Sequence, residues 1–218
     1  MRKLVAVTQM TLDGVMQAPG GPEEDPSGGF ELGGWSVNHF DDVLMEQATE
    51  SMAKPFDLVL GRKTYEIFAA HWPYDEGPIA DRLNSAAKHV ASRTLDSLDW
   101  NNSHLLEGEV EEAVPALKAQ DGPELHVLGS SDLLQTLLAH NLVDELRLWV
   151  FPVVMGAGKR LFGQGAQPRG LTLVDSSVST SGVLVANYEL AGPVEPGSFA
   201  FEEPTDKEIE RRKAMKTD

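Results

Sequence analysis

The chain reads as an α/β protein built on a mixed, mostly parallel sheet whose last strands run antiparallel. Two observations carry that reading. Short apolar runs of strand length, Leu58-Val59-Leu60 and Leu125-His126-Val127-Leu128, each pass through a glycine into a stretch with helical spacing. Strands alternating with helices build parallel sheets, because parallel neighbours need a crossover. In contrast, residues 171–174 and 183–190 are strand-like runs with no helical pattern between them, so they are expected to pair antiparallel.

Composition sets the outer limits. At 218 residues, 41% hydrophobic and 24% charged, the chain fits one domain, or one domain followed by a tail. The expected division is a domain over residues 1–190 and a charged tail over residues 191–218. There is no cysteine, which excludes disulfides, thiolate catalysis and cysteine metal sites, and no metal site is expected. The apolar run at residues 4–7 is too short for a signal peptide, and no stretch approaches the ~20 apolar residues that span a bilayer. The expectation is a soluble, cytoplasmic protein. A formal net charge of −16 argues against nucleic acid and anionic membranes as partners. The acidity itself suits solubility or a salty cell interior, and it makes any local basic cluster informative.

In chain order, residues 3–10 read as a buried first strand, followed by a turn at Asp13-Gly14. Residues 17–34 form a loop dense in Gly, Pro and acidic side chains. A loop this long is a lid or a disordered segment, and a mobile flap is the expectation. Residues 41–54 have helical spacing with Val43, Leu44, Ala48 and Met52 inward, and Asp41 and Asp42 stand at the helix start, where carboxylates suit the helix dipole. Further helices are expected over residues 65–70, 79–88 and 109–120, the last carrying Pro115, and after Gly129. Strands are expected at residues 89–94, 104–106 and 146–151. In the tail, Thr205 and Glu208 form a capping-box pattern, with Glu208 at helical spacing from Arg211 and Arg212, so a short exposed helix or disorder is expected.

The functional signal lies in the turns. Gly61-Arg62-Lys63-Thr64 follows a strand and opens a helix, the geometry in which backbone N–H groups and the helix dipole meet an anion. Gly129-Ser130-Ser131-Asp132 repeats it, and Ser92-Arg93 gives a third strand a polar, basic end. Gly156-Ala157-Gly158-Lys159-Arg160 does not qualify. A P-loop needs glycine at Val153 and Ser or Thr at Arg160, and a dinucleotide fingerprint needs glycine at Leu161.

These segments resemble a known family. Residues 59–66 look like the first cofactor segment of dihydrofolate reductases, residues 89–93 are similar to the second, and Leu128-Gly129-Ser130-Ser131 with Leu133 matches the third. The run from Leu142-Val143-Asp144-Glu145 through Phe151-Pro152-Val153 to Leu161-Phe162, with Leu12-Asp13-Gly14, is closer to the reductase domain of the bifunctional riboflavin-biosynthesis deaminase–reductase and its stand-alone relatives. The similarity covers about residues 3–190.

The resemblance implies a three-layer α/β/α fold, NADPH as hydride donor and a homodimer. Carried over by position, it places Gly61, Arg62, Lys63 and Thr64 on the phosphates and Ser92 and Arg93 on the 2′-phosphate. Gly129, Ser130, Ser131 and Leu133 fall along the pyrophosphate and nicotinamide. On the substrate side it points to Asp13 and Trp35, with Asp41, then Asp42, as the acid that supplies a proton. The longer loop before Asp41 departs from the folate enzymes and favours a ribosylaminopyrimidine-type substrate. A dihydrofolate or pteridine reductase, or a non-catalytic nucleotide-binding module, are the alternatives. Residues 146–149 fit a subunit contact or core packing.

Overall fold

The structure is a computed structural model that describes residues 1–163 and 166–216; the last two residues of the expected tail lie outside the described residues. One eight-stranded sheet organises it, in the order β4-β3-β2-β5-β1-β6-β8-β7. The strands are β1 (Leu4–Thr11), β2 (Phe56–Gly61), β3 (Lys88–Ala91), β4 (Ser103–Leu105), β5 (Glu124–Leu128), β6 (Glu145–Phe151), β7 (Leu171–Val178) and β8 (Leu184–Leu190). The first six pair parallel, and β8 pairs antiparallel with both β6 and β7.

Helices cover the sheet: α1 (Asp42–Ser51), α2 (Arg62–Ala69), α3 (Pro78–Ser85), α4 (Val110–Lys118) and α5 (Ser131–Ala139). Alternation along each strand separates the two cores. Leu4 and Ala6 of β1 pack with Val114 and Leu117 of α4 and Leu133, Leu134 and Leu137 of α5. On the other side Leu44 and Ala48 of α1 meet Trp149 and Phe151 of β6, while Tyr65 and Leu83 lie over β2. Val43 is exposed rather than inward, because the buried stripe of α1 is only Leu44 and Ala48.

The chain turns to opposite faces of the sheet after β1 and after β5, and this positions the site. The β1–β5 ladder ends at Val7–Leu128, whereas β1 stays paired with β6 as far as Thr11–Phe151. Neighbouring parallel strands that diverge in this way leave a crevice at their carboxyl ends, the usual ligand site of an open α/β sheet.

Residues 17–34 are tethered rather than flap-like. The Gln17 amide donates to the Asp25 and Ser27 carbonyls, its Oε1 accepts from Lys159 N–H, and Trp35 Nε1 donates to the Gln17 carbonyl. Beyond β8, α6 (Asp206–Ala214) has no buried residue; Thr205 Oγ1 accepts from Glu208 N–H, while the Glu208 carboxylate binds Arg211 and Arg212 instead of closing a capping box. Among the described residues no helix is long and apolar enough to cross a membrane.

Candidate active site

A cleft of about 1460 Å³ opens along the carboxyl ends of β3, β2, β5 and β1. That exceeds the roughly 300–1,000 Å³ typical of a pocket for one small ligand, so it has room for a dinucleotide and a second molecule. All ten residues expected at the cofactor border it: Gly61, Arg62, Lys63, Thr64, Ser92, Arg93, Gly129, Ser130, Ser131 and Leu133.

Two helix starts define one half. Neither Gly61, the N-cap of α2, nor Ser130, the N-cap of α5, makes a side-chain cap, so the first-turn N–H groups of both helices lack that partner. The two starts are stitched together by Gly61 N–H, which donates to Ser130 Oγ at 2.9 Å. The Gly61 amide is therefore committed, and the N–H groups left without a capping side chain are those further into α2. Gly129 (φ +69°) and Ser130 (φ +63°) are both left-handed; for serine this is a sparsely populated conformation of the kind that clusters at ligand sites. Leu133 is largely core, 7% exposed. Ser92 Oγ accepts from Thr94 and Leu95 N–H, which fixes the turn and leaves its O–H free to donate.

The basic residues of the cleft divide into two kinds. Arg62 Nη1 is held by both carboxylate oxygens of Glu66, at 3.0 and 2.9 Å, and Lys159 by Asp25 at 2.6 Å. Lys63 and Arg93 are exposed and have no ion pair among the described residues. Carboxylates border this half as well, namely Glu109, Glu111 and Asp132; Asp132 lies in the first turn of α5 but is not its cap.

The residues expected on the substrate side lie away from the cleft wall, with Asp13, Trp35 and Asp41 engaged in structural contacts. Asp41 is the N-cap of α1, and its carboxylate accepts from Leu44 N–H, Thr180 Oγ1 and Ser181 N–H. The Thr180 hydroxyl and these amides hold its pKa down at about 2, the wrong direction for a proton donor near neutrality, and it is not on the cleft wall. Asp42 is exposed in the first turn of α1 and is equally absent from the wall. Asp13 accepts from the Thr11 hydroxyl and from Met155 and Gly156 N–H and pairs with Arg160; these partners depress its pKa and spend it on fastening the Gly156 loop. Trp35 packs edge-on against Phe151, 5.4 Å between ring centres, as a core residue. Leu146, Leu148 and Trp149 are buried within the chain, which favours core packing over a subunit contact.

The glycine loop that fits neither nucleotide motif is a clasp. Gly158 (φ +123°) lies so close to Val15 that a Cβ there would stand 2.6 Å from Val15 Cγ1, and Arg160 donates to the Asp13 and Gly156 carbonyls. Residues the sequence reading passed over do line the cleft: Thr8 and Gln9 on β1, Phe40, Trp149 and Glu24. The available signal was the polar pair Thr8-Gln9 inside an apolar strand. Glu24 sits on the tethered loop with its carboxylate accepting from Gly20 N–H at 2.6 Å, and burial raises its pKa despite that bond.

A topological switch point, two uncapped helix starts and two cations without ion pairs among the described residues define an open α/β protein with a ligand crevice at the carboxyl ends of its strands. The description of the RibD C-terminal domain matches residues 2–185, so the chain belongs to that family, a reductase family. The "Uncharacterized protein YyaP" of Bacillus subtilis (strain 168) is 28% identical over 200 residues, covering 88% of this chain and 96% of that one. Among solved structures, a putative riboflavin biosynthesis protein from Shewanella sp. PV-4 is similar with a TM-score of 0.61 and 20% identity, covering 87% of this chain and 99% of that one. A pyrimidine reductase-like protein from Corynebacterium diphtheriae gives 0.56 and 14%, covering 87% of this chain and 92% of that one. At these identities the two structures establish the shared fold.

Proposed function

We propose that the protein is an NADPH-dependent reductase that reduces a C=N or C=O bond of a small heterocycle of the aminopyrimidine class, acting in the cytoplasm as a homodimer. The observation that carries this reading is the convergence of Lys63 and Arg93, both without ion pairs among the described residues, with two uncapped helix starts in a protein of net charge −16. The first turns of α2 and α5 would hold the pyrophosphate, and Ser92 and Arg93 the 2′-phosphate. When bound, the nicotinamide supplies the hydride. The protein's own part is to fix the partners in reacting geometry and to provide a proton. Among the carboxyl groups bordering the cleft, Glu24 suits the second task, because burial keeps its proton to a higher pH than an ordinary glutamate.

The test is a titration of the purified protein with NADPH and with NADH, followed by NADPH consumption over a panel of aminopyrimidines and pteridines. NADPH binding at least ~10-fold tighter than NADH, about 1.4 kcal/mol, with turnover of one panel member, supports the reading. Binding of neither cofactor refutes it. Binding without turnover favours the non-catalytic nucleotide-binding module.

A further inference from the structure

The half of the cleft over β1 and β6 differs in chemistry from the half over β2, β3 and β5. Among the described residues it has no uncommitted lysine or arginine: Lys159 is held by Asp25 at 2.6 Å, and Glu23 and Glu24 border the cleft from the same loop. A phosphate brought here would meet the Glu23 carboxylate and a lysine already neutralised by Asp25, a juxtaposition that disfavours ligands of like sign.

Opposite that polar loop, aromatic rings and one strand form the wall. Trp149 and Phe40, 6.2 Å apart between ring centres, both border the cleft. Gln9 is the register partner of Trp149 on β1, beyond the point where β1 loses its ladder to β5. Gln9 Oε1 is buried without a hydrogen-bond partner among the described residues, and the amide nitrogen has none either. Buried polar groups are ordinarily satisfied, and an unsatisfied amide bordering the cleft beside these rings points to a ligand that completes it. A glutamine amide presents a donor and an acceptor side by side, which is the complement of a ring edge carrying adjacent N–H and C=O.

We infer that this half of the cleft binds a planar, phosphate-free ring against Trp149 and Phe40, and that Gln9 is the specificity-determining residue that reads the ring's cyclic-amide edge. This rests on the reductase reading only in leaving the other half to the cofactor. It narrows the substrate to a base or nucleoside rather than a nucleotide.

The test is direct binding to the purified full chain, by calorimetry without cofactor and again with saturating NADPH. Uridine is compared with uridine 5′-monophosphate, and 5,6-diaminouracil with 5,6-diamino-1,3-dimethyluracil, whose ring N–H groups are blocked. The expected result is uridine at least ~10-fold tighter than its monophosphate, and diaminouracil at least ~10-fold tighter than the dimethyl compound. Gln9→Leu should erase the second preference, with thermal midpoint and NADPH affinity reporting that the fold and the other half persist. Gln9→Glu, which keeps the size and loses the N–H donor, should erase it too. Equal or tighter binding of the monophosphate, no binding of any ring, or a diaminouracil preference that outlives both Gln9 variants overturns the inference. If the ring preferences hold while NADPH does not bind, the inference stands and the reductase reading falls.

Discussion

Replacing Lys88 by methionine should change the pH dependence of stability in a defined window. Lys88 is fully buried at the start of β3, with Nζ donating to the Asn84 carbonyl at 2.8 Å and the Asn101 carbonyl at 3.1 Å, and lying 4.1 Å from the centre of the Trp100 ring. No carboxylate pairs with it among the described residues, and burial pulls its pKa from 10.5 down to about 8. The folded state therefore binds fewer protons than the unfolded state between those two pH values. Stability rises with pH across that window and is flat on either side. At about 1.36 kcal/mol per pH unit, the gap between 10.5 and about 8 gives a total of about 3 kcal/mol. At neutral pH the substitution removes a desolvated ammonium but strands two carbonyls, so the two effects oppose each other. At pH 10.5 only the second loss remains. Urea unfolding of wild type and Lys88→Met at several pH values from 7 to 11 checks this, because titrations common to both proteins cancel in the difference. Wild type should gain about 3 kcal/mol over the variant between pH 8 and 10.5. Parallel curves would mean that the buried amine keeps an ordinary pKa.

Other outcomes follow from the site. Arg93→Ala should weaken NADPH binding about 10-fold and leave NADH nearly unchanged, since an exposed, unpaired arginine contributes through the ligand's charge alone; loss of both equally would move Arg93 away from the 2′-phosphate. Glu24→Gln should remove the alkaline fall in kcat/KM that loss of the Glu24 proton produces, as burial raises that pKa; an unchanged pH profile would take the proton source elsewhere. Asp41→Ala should lower the thermal midpoint, because it strips the cap of α1 and the ties to Thr180 and Ser181, while kcat/KM keeps its pH profile. Gly158→Ala should cost about 2–5 kcal/mol in urea unfolding, combining backbone strain at φ +123° with overpacking against Val15.

Much of the cofactor half was legible because its signals are local. A glycine after an apolar run, then a helix with no capping side chain, is a statement about a few consecutive residues. The segments around Gly61, Ser92 and Gly129 each carry it, and the sheet order β3-β2-β5 sets them side by side. The substrate half was less legible because carboxylates look alike in sequence. Besides the local partners Thr11 and Leu44, Asp13 and Asp41 are held by residues 155–160 and 180–181, more than a hundred positions away, which no local pattern announces. The long Gly/Pro loop reads as mobile until Gln17, Trp35 and Lys159 are seen to tie it down.

What the sequence alone determined is the alternation of strands and helices, the antiparallel ending and the three anion-type turns, since periodicity and turn chemistry act over short range. The tertiary structure alone decided which charges remain free. Arg62 and Lys159 are neutralised by Glu66 and Asp25, whereas Lys63 and Arg93 meet no carboxylate among the described residues. It also decided that Gln9 ends unsatisfied at the cleft, because that depends on where β1 parts from β5, and strand pairing is set by the packing of the whole sheet.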